Sequence, residues 1–445
     1  MLSEPYMIIL FVISCIITLT GTEFTGLLGF AAIILFTLII CYELIATTLP
    51  FLLMCCFMIK CFDSFSTYIK IVWLAPFCAA IIISHFFIYP KPIKAGFGLY
   101  AQLAVTAAVM LGGVGTISAK EYFSLMSIYY MLGLGIGMVL IYLISYSYFE
   151  STEKVDVHRY FAKIMFIVYL YSVFVVLSYY IINIKTVMET RSILEPQWRN
   201  NISTFIMLTM PFAFYLSLKK SPCLIAALLS MPCLLLTSSR GGLLFGGCEF
   251  VLCCIYLLYA DKKHRTRNFT ILAVCAMGVI ALSGDIVVFI SKTLSRFETI
   301  NDEPRAKLIQ RALEDFRSNL PFGRGIGYLG NRDIHPSKKF AACWYHSSPF
   351  QIIGSFGCAG VIAFVFQFIT RNRIFWSRVS YFTLATYISY AGILMMSLVN
   401  PGEFCPLPYE LLVVMMFAII ERSCPVNHER TLIGKSFEIK TEEEK

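Results

Sequence analysis

Three places along this chain carry side chains able to hold an anion or move a proton. Arg240 lies in Leu235-Leu-Thr-Ser-Ser-Arg-Gly-Gly-Leu243, a turn of about four residues between two apolar runs, so its charge stays near the headgroup level of a membrane. There it is either an interfacial anchor or a ligand for something anionic. Arg305 follows Asp302 and Pro304, which read as a helix start, and heads the segment Pro304–Arg317. At 100° per residue from Arg305, the apolar side chains Leu308, Ile309, Ala312, Leu313 and Phe316 fall between about 300° and 80°. Arg305 is then at the centre of the apolar stripe, while Lys307, Gln310, Arg311, Glu314 and Arg317 take the opposite face and are expected in solvent. An inward arginine needs a partner, and a phosphate oxygen matches its planar fork; the other reading is a first-turn arginine whose stem reaches back to water. His346, in Trp344-Tyr-His-Ser-Ser-Pro-Phe350, precedes another apolar run. With an ordinary pKa of about 6.5 it can accept a proton in its neutral form, or it is an interfacial anchor or hydrogen-bonded spacer.

Between Arg305 and His346 runs Asn319-Leu-Pro-Phe-Gly-Arg-Gly-Ile-Gly-Tyr-Leu-Gly330. Gly323, Gly325, Gly327 and Gly330 permit backbone conformations that bring amide groups close to a ligand. No strand precedes them, so this is not a dinucleotide fingerprint. Nor is there a zinc pattern. The 16 cysteines fall mostly inside apolar runs, as at Cys55, Cys56, Cys253 and Cys254, without a CxxC pair, and read as small hydrophobes.

The elements that must position these residues follow from composition. Of 445 residues, 58% are hydrophobic and 14% charged. That is roughly 260 apolar residues, more than one soluble core can hide and enough for about 12–14 membrane spans. The apolar runs are nearly continuous, as in Ile8–Leu19 and Val72–Ile83, which excludes a transmembrane barrel and predicts an all-α, polytopic transmembrane helical bundle. No Lys or Arg precedes the first run and no small-residue cleavage site follows it, so it reads as a retained span.

Charge sets the orientation. The short basic turns Asp261–Asn268 and Thr370–Arg378 (Arg371, Arg373, Arg378), together with Lys219 and Lys220, belong in the cytoplasm. Both termini then lie in the cytoplasm, the tail being residues 422–445. Residues 292–347 form one large extracytoplasmic loop with short helices, within a single integral membrane domain, 1–445. Up to Tyr345 that loop holds ten cations (Lys292, Arg296, Arg305, Lys307, Arg311, Arg317, Arg324, Arg332, Lys338, Lys339) against six acids (Glu298, Asp302, Glu303, Glu314, Asp315, Asp333). About half of the net charge of +9 therefore sits on the side that charge usually avoids. A long loop translocates regardless of charge, so this is either an ordinary solvated surface or a site for an anion. The external placement argues against a nucleic-acid partner. Glu249, Asp285 and Glu410 lie inside spans, where each could pair with a neighbouring cation.

In combination, Ser239-Arg240-Gly241 at a helix junction, Pro304-Arg305, Pro321-Phe-Gly-Arg-Gly-Ile-Gly327, and His346 opening a helix with Gly354, Gly357 and Gly360 resemble the O-antigen ligase and O-antigen polymerase superfamily. These are bacterial membrane glycosyltransferases, and the resemblance covers about residues 200–370, with earlier helices agreeing only in hydrophobicity and number. It implies transfer of a glycan from a polyprenyl (undecaprenyl) diphosphate to an acceptor glycan or glycolipid, at the outer face of the plasma membrane. No cofactor or metal is implied; the partners are the lipid bilayer, those substrates and a chain-length regulator protein.

By position the resemblance gives Arg240 and Arg305 the diphosphate and His346 the acceptor hydroxyl, with Arg324, Arg311 and Ser347 as further substrate contacts. Ser347 stands where the family usually has Asn, which puts that residue's hydrogen bond in doubt. The implied reaction is an inverting single displacement, in which arginines stabilise the charge developing on the departing diphosphate, work done elsewhere by a divalent metal. Polymerisation of repeat units into O-antigen or capsule is favoured over ligation to a lipid A core. A lipid-linked oligosaccharide flippase has a similar span count, but its binding charges would lie near the midplane of two repeated halves, and no repeat is visible.

Overall fold

The computed structural model describes residues 4–40, 44–61, 73, 75–117, 122, 124–149, 156–190, 193–196, 198–281, 303–334, 344–400, 402–404 and 406–426. Asp285, Lys292, Arg296, Glu298, Asp302, Lys338, Lys339 and the tail from 427 onward lie outside the described residues. The described chain is all helical, with 82% helix and no strand. In chain order come α1 (Glu4–Thr20), α2 (Glu23–Ile40), α3 (Leu44–Cys61), α4 (Ala75–Ile88), α5 (Gly98–Ile117) and α6 (Leu125–Tyr130). A π-helical stretch, Met131–Gly137, joins α6 to α7 (Met138–Tyr148). There follow α8 (Val157–Ile182), α9 (Ile184–Thr190), α10 (Arg199–Ser217), α11 (Pro222–Leu228), α12 (Ser230–Leu236) and α13 (Arg240–Ala260). The last are α14 (Arg265–Ala281), α15 (Glu303–Ser318), α16 (Ser348–Trp376), α17 (Tyr381–Ser397) and α18 (Leu411–Ser423).

Among the described residues, five helical stretches are long and apolar enough to cross a membrane: α2, Ser127–Tyr148, α8, α13 and α16. Several shorter helices, α1 and α4 among them, are as apolar. Their outward faces carry Ile9, Ile16 and Phe87, more than half exposed, a surface suited to lipid tails and not to water. The protein is a helical membrane protein.

The helices divide into two compact units. The first comprises residues 1–92 and 151–299. Asp156 starts α8 by accepting the Arg159 amide at 3.1 Å, and α8 packs along α10. Apolar nearly all round, α10 is buried from Ile202 to Ser217. At the end of α13, Asp261 turns inward and accepts hydrogen bonds from the His264 amide at 3.1 Å and from Asn268 Nδ2 at 2.8 Å. Lys262, Lys263, Arg265 and Arg267 are left exposed, so the only acid of this basic turn is buried beneath it.

Residues 93–150 and 300–445 form the second unit. Here α5 lies against α16 and α7 against α18, which is buried at every position from Leu411 to Glu421. Its core joins Val109 and Tyr130 to Ile326, Trp344, Phe356 and Phe404. Glu421 satisfies the start of α5. Its carboxylate accepts the Phe97 amide at 2.5 Å, the Gly98 amide at 3.1 Å and the Tyr142 hydroxyl at 2.6 Å. A carboxylate at a helix N-terminus meets both the unpaired amides and the positive end of the helix dipole. Glu421→Ala is therefore expected to destabilise the protein by about 1–3 kcal/mol, read as a lowered unfolding midpoint in detergent. An unchanged midpoint would show that Glu421 is dispensable.

One stretch differs from the sequence reading. Thr370–Arg378 is not simply a basic loop, because α16 continues to Trp376. Arg371 is buried and donates to Glu410 at 2.6 Å, both side chains being about 5% exposed. At about 1.5 Å per residue the 29-residue helix outruns the hydrocarbon core, so its last turns carry Arg373 beyond it. Only Arg373 and Arg378 of this segment remain as surface cations.

Candidate functional site

Arg240 opens α13 in the first unit. Ser239 caps the helix: its Oγ accepts the Gly242 amide at 3.1 Å and donates to Asn200 Oδ1 at 2.9 Å. Gly242 lies so close on Ser203 of α10 that a Cβ would collide with that side chain, which fixes the angle at which α13 begins. Arg240 is half-buried on the first turn. A cation there opposes the helix dipole, at a cost of about 0.3–1 kcal/mol, whereas an anion at the same end would be held by guanidinium and helix together.

His346 holds the corresponding place in the second unit. It stands one residue before Ser347, the N-cap of α16, just as Ser238 stands one residue before Ser239. These two, Ser238 at φ 58° and His346 at φ 55°, are the only non-glycine residues with left-handed backbone among the described residues. Such conformations cost about 1–3 kcal/mol and persist only where the surroundings impose them. At His346 the imposition is visible. Buried Gln351 reaches back from α16 to accept the Tyr345 amide at 3.1 Å, while its own amide nitrogen donates to Ser355 at 2.8 Å. Ser347, half-buried, caps through its backbone carbonyl, which accepts the Gln351 amide at 2.8 Å, and makes no side-chain cap bond.

Tyr345 ties this corner to α15. Its buried hydroxyl donates to Asp315 Oδ2 at 2.6 Å, and Arg324 Nε lies 3.9 Å from Asp315 Oδ1. Arg311 donates to the Gly330 carbonyl at 2.5 Å and to Asp333 at 2.7 Å. The inward face of α15 is thus Leu308, Arg311, Ala312 and Asp315, rotated by about 70° from the apolar stripe counted on the sequence. Arg305 is exposed, not aimed into the unit, and Arg311 is half-buried, not solvated; Arg317 is exposed as expected. The physical reason is that Asp315 finds a phenol and two guanidinium groups, so an acid goes inward where a polar-outward count would place it in water.

Burial pushes the Asp315 carboxyl up, against the downward pull of the Tyr345 hydrogen bond and the Arg324 and Arg311 charges. Burial likewise raises the Tyr328 phenol to about 12. A raised acid binds its proton more firmly folded than unfolded. Asp315 thus adds stability below the ordinary carboxylate value of about 3.9, and that addition disappears as pH rises through its higher folded value. Asp315→Asn should remove this loss, so that stability rises more steeply with pH across that window than in the unaltered protein, measured as unfolding midpoint against pH. An unaltered limb would exclude the group.

The glycine loop has a different use from the one its spacing suggests. Inside α16, Gly357 adopts φ 59° and ψ −149°, which breaks the helix. The loop fills the break. The Arg324 and Gly325 amides donate to the Gly354 and Ser355 carbonyls, both at 2.8 Å, and the Leu320 and Pro321 carbonyls accept the Cys358 and Ala359 amides at 2.8 and 3.0 Å. Gly323 and Gly357 are in backbone contact, so neither has room for a Cβ. Two of the amides read as ligand donors therefore hold the loop to α16.

The second unit thus places His346 and Ser347 beside the Tyr345–Asp315 bond, with Arg324 3.9 Å from Asp315 and Arg311 one turn away on α15, and leaves Arg305 on the exposed first turn of α15. Arg240 belongs to the first unit. Asp315, Tyr345 and Gln351 were not read from the sequence as parts of the site. The i, i+4, i+7 spacing of Leu308, Ala312 and Asp315 was the available signal for the first. No protein-family model matches the chain, and no curated protein matches it.

Proposed function

We propose that this protein polymerises undecaprenyl-diphosphate-linked oligosaccharide repeat units into surface polysaccharide at the outer face of the bacterial plasma membrane. The observation that supports this reading best is the left-handed His346, held at the head of α16 by Gln351 and by the Tyr345–Asp315 bond. A strained, rigidly braced imidazole at the end of an apolar helix is suited to a reaction between membrane-borne substrates.

In this reading the acceptor hydroxyl oxygen attacks the anomeric carbon of the donor, its proton passes to neutral His346, and the anomeric C–O bond breaks toward the lipid diphosphate. Configuration inverts. Arg305, exposed on α15, meets the charge that grows on the departing diphosphate, an interaction stronger in the transition state than before it. Arg311 and Arg324, engaged with Asp333, Gly330 and Asp315, take supporting roles at the same loop. Arg240 is proposed separately as an anion ligand at the head of α13. The apolar helices house the polyprenyl tail, and both termini lie in the cytoplasm.

The decisive experiment adds purified protein in nanodiscs to lipid-linked repeat units. The expected product is a ladder of longer glycans, and none from Arg305→Ala or His346→Ala protein shown to be inserted. Absence of a ladder from the unaltered protein, or full activity of both variants, overturns the reading. Orientation is tested by a cysteine placed at exposed Arg332. It should react with an impermeant maleimide from outside intact cells, and cytoplasmic reactivity would remove the mechanism.

A further inference from the structure

The fold treats two acids inside apolar helices in opposite ways. Glu410 is paired with Arg371. Glu249, in the middle of α13, is completely buried, and among the described residues no hydrogen-bond donor reaches either carboxylate oxygen and no cation pairs with it. Its face of α13 is Gly242, Gly246, Glu249, Cys253, Tyr256 and Leu257. This seam is tightly packed: Gly242 lies on Ser203, Gly246 on Leu234 and Met207, and the Phe250 ring meets Phe214 at 5.8 Å. The pairs advance together along α10 and α13, which places Glu249 level with Met210 and Pro211.

The other titratable groups packed along this seam, Tyr256 on the same face of α13 among them, are phenols and thiols. On α13 itself the nearest is Cys253, buried one turn below. From α12 comes buried Cys233, and from α8 comes Tyr169, whose hydroxyl donates to the Ala226 carbonyl at 2.7 Å. The cations of the packed helices lie toward helix ends: His158, Arg159 and Lys163 in the first two turns of α8, Arg199 on α10, paired with Glu195, Arg240 at the head of α13, and Arg265 and Arg267 at the head of α14. Arg240 is nine residues from Glu249, about 13 Å along the axis. Pro211 has no N–H, so the Met207 carbonyl in the same seam lacks its helical donor and offers an acceptor to an acid that carries a proton. A fully buried ionised carboxylate with neither cation nor protein donor is heavily penalised, and the neutral acid is the form such surroundings accept.

We propose that Glu249 is a proton-binding site within the membrane: it is a neutral carboxylic acid at neutral pH and releases and rebinds its proton with the fold intact. An acid in mid-bundle facing two glycines and a proline-interrupted helix gives this unit a group able to answer the proton gradient across the membrane. The proposal is independent of the transferase reading and stands or falls apart from it.

Infrared difference spectra of full-length protein in phospholipid nanodiscs, unaltered minus Glu249→Gln, test it. The expected result is a protonated-carboxyl C=O band at pH 7 that is lost in the variant. It should shift in D2O and give way reversibly to carboxylate bands on alkaline titration. Because glutamine replaces a neutral acid by a neutral amide of the same shape, the variant should keep its unfolding midpoint. Should it fail to accumulate, Glu249→Asp, which keeps the acid and moves its band, takes its place. Carboxylate bands at pH 7 overturn the proposal, and so does a C=O band that neither shifts in D2O nor titrates.

Discussion

Replacing Arg371 by methionine is expected to destabilise the protein by about 3–5 kcal/mol, among the largest effects of any single change outside the helix break. The pair it belongs to is short, 2.6 Å, and almost sealed. The guanidinium carbon lies over the Tyr390 ring, 5.3 Å from its centre, and over the Phe417 ring at 5.6 Å. Removing the arginine strands Glu410 in surroundings that cannot solvate it, so most of the loss is the cost of an uncompensated charge. Glu410→Gln should cost less, because arginine keeps its aromatic stack and its amide partner. The double variant Arg371→Met with Glu410→Gln is expected to recover most of the stability, since a neutral pair of similar volume can replace a buried ion pair at little or no cost. Chemical unfolding of the four proteins in one detergent gives the coupling energy. Additive losses would show that the two charges are solvated independently and that the pairing carries no weight.

The same pair shows what was legible in the sequence and what was not. Continuous apolar runs with few charges could only become helices in a membrane, and the junction before α13 was visible as the short polar turn around Arg240, though the Ser239 cap within it was not read. Arg371, by contrast, read as a loop cation because its partner lies 39 residues further on and nothing local announces it. Asp315 was passed over as one loop acid among six for the same reason: Tyr345 and Arg324 reach it from outside its helix. The glycine loop was recognised as irregular, yet its amides were assigned to a ligand when they belong to the Gly354 and Ser355 carbonyls, freed by a helix break at Gly357 that a glycine in an apolar run does not by itself reveal. Local chemistry was readable, whereas the pairing of distant polar groups was not. That is also why Glu249 and Glu410, alike in sequence as lone acids in apolar helices, part company in the fold.

On the proposed transferase reading with His346 as base, His346→Ala is expected to lower the rate of glycan transfer by about 10²–10⁴-fold while leaving the KM for the lipid-linked donor nearly unchanged. The bracing around it supplies a sharper test than the deletion. Tyr345→Phe removes only the hydroxyl that donates to Asp315 at 2.6 Å, leaving the imidazole in place but its corner less firmly held. A positioning role then predicts a smaller fall in kcat, roughly tenfold, because a displacement of a fraction of an ångström is costly only at the moment of transfer. The pH profile separates base from anchor. With a neutral imidazole required, kcat should show an acid limb in the unaltered and Tyr345→Phe proteins and lose that limb in His346→Ala. A histidine that merely spaces or anchors the helix would instead leave the limb intact after its removal and lower stability, not rate. Gln351→Leu extends the argument, since it frees the Tyr345 amide and should relax the left-handed backbone at His346. If strain at this residue serves catalysis, that variant combines lower kcat with a preserved unfolding midpoint; a lowered midpoint with unchanged kcat would assign Gln351 to the fold alone.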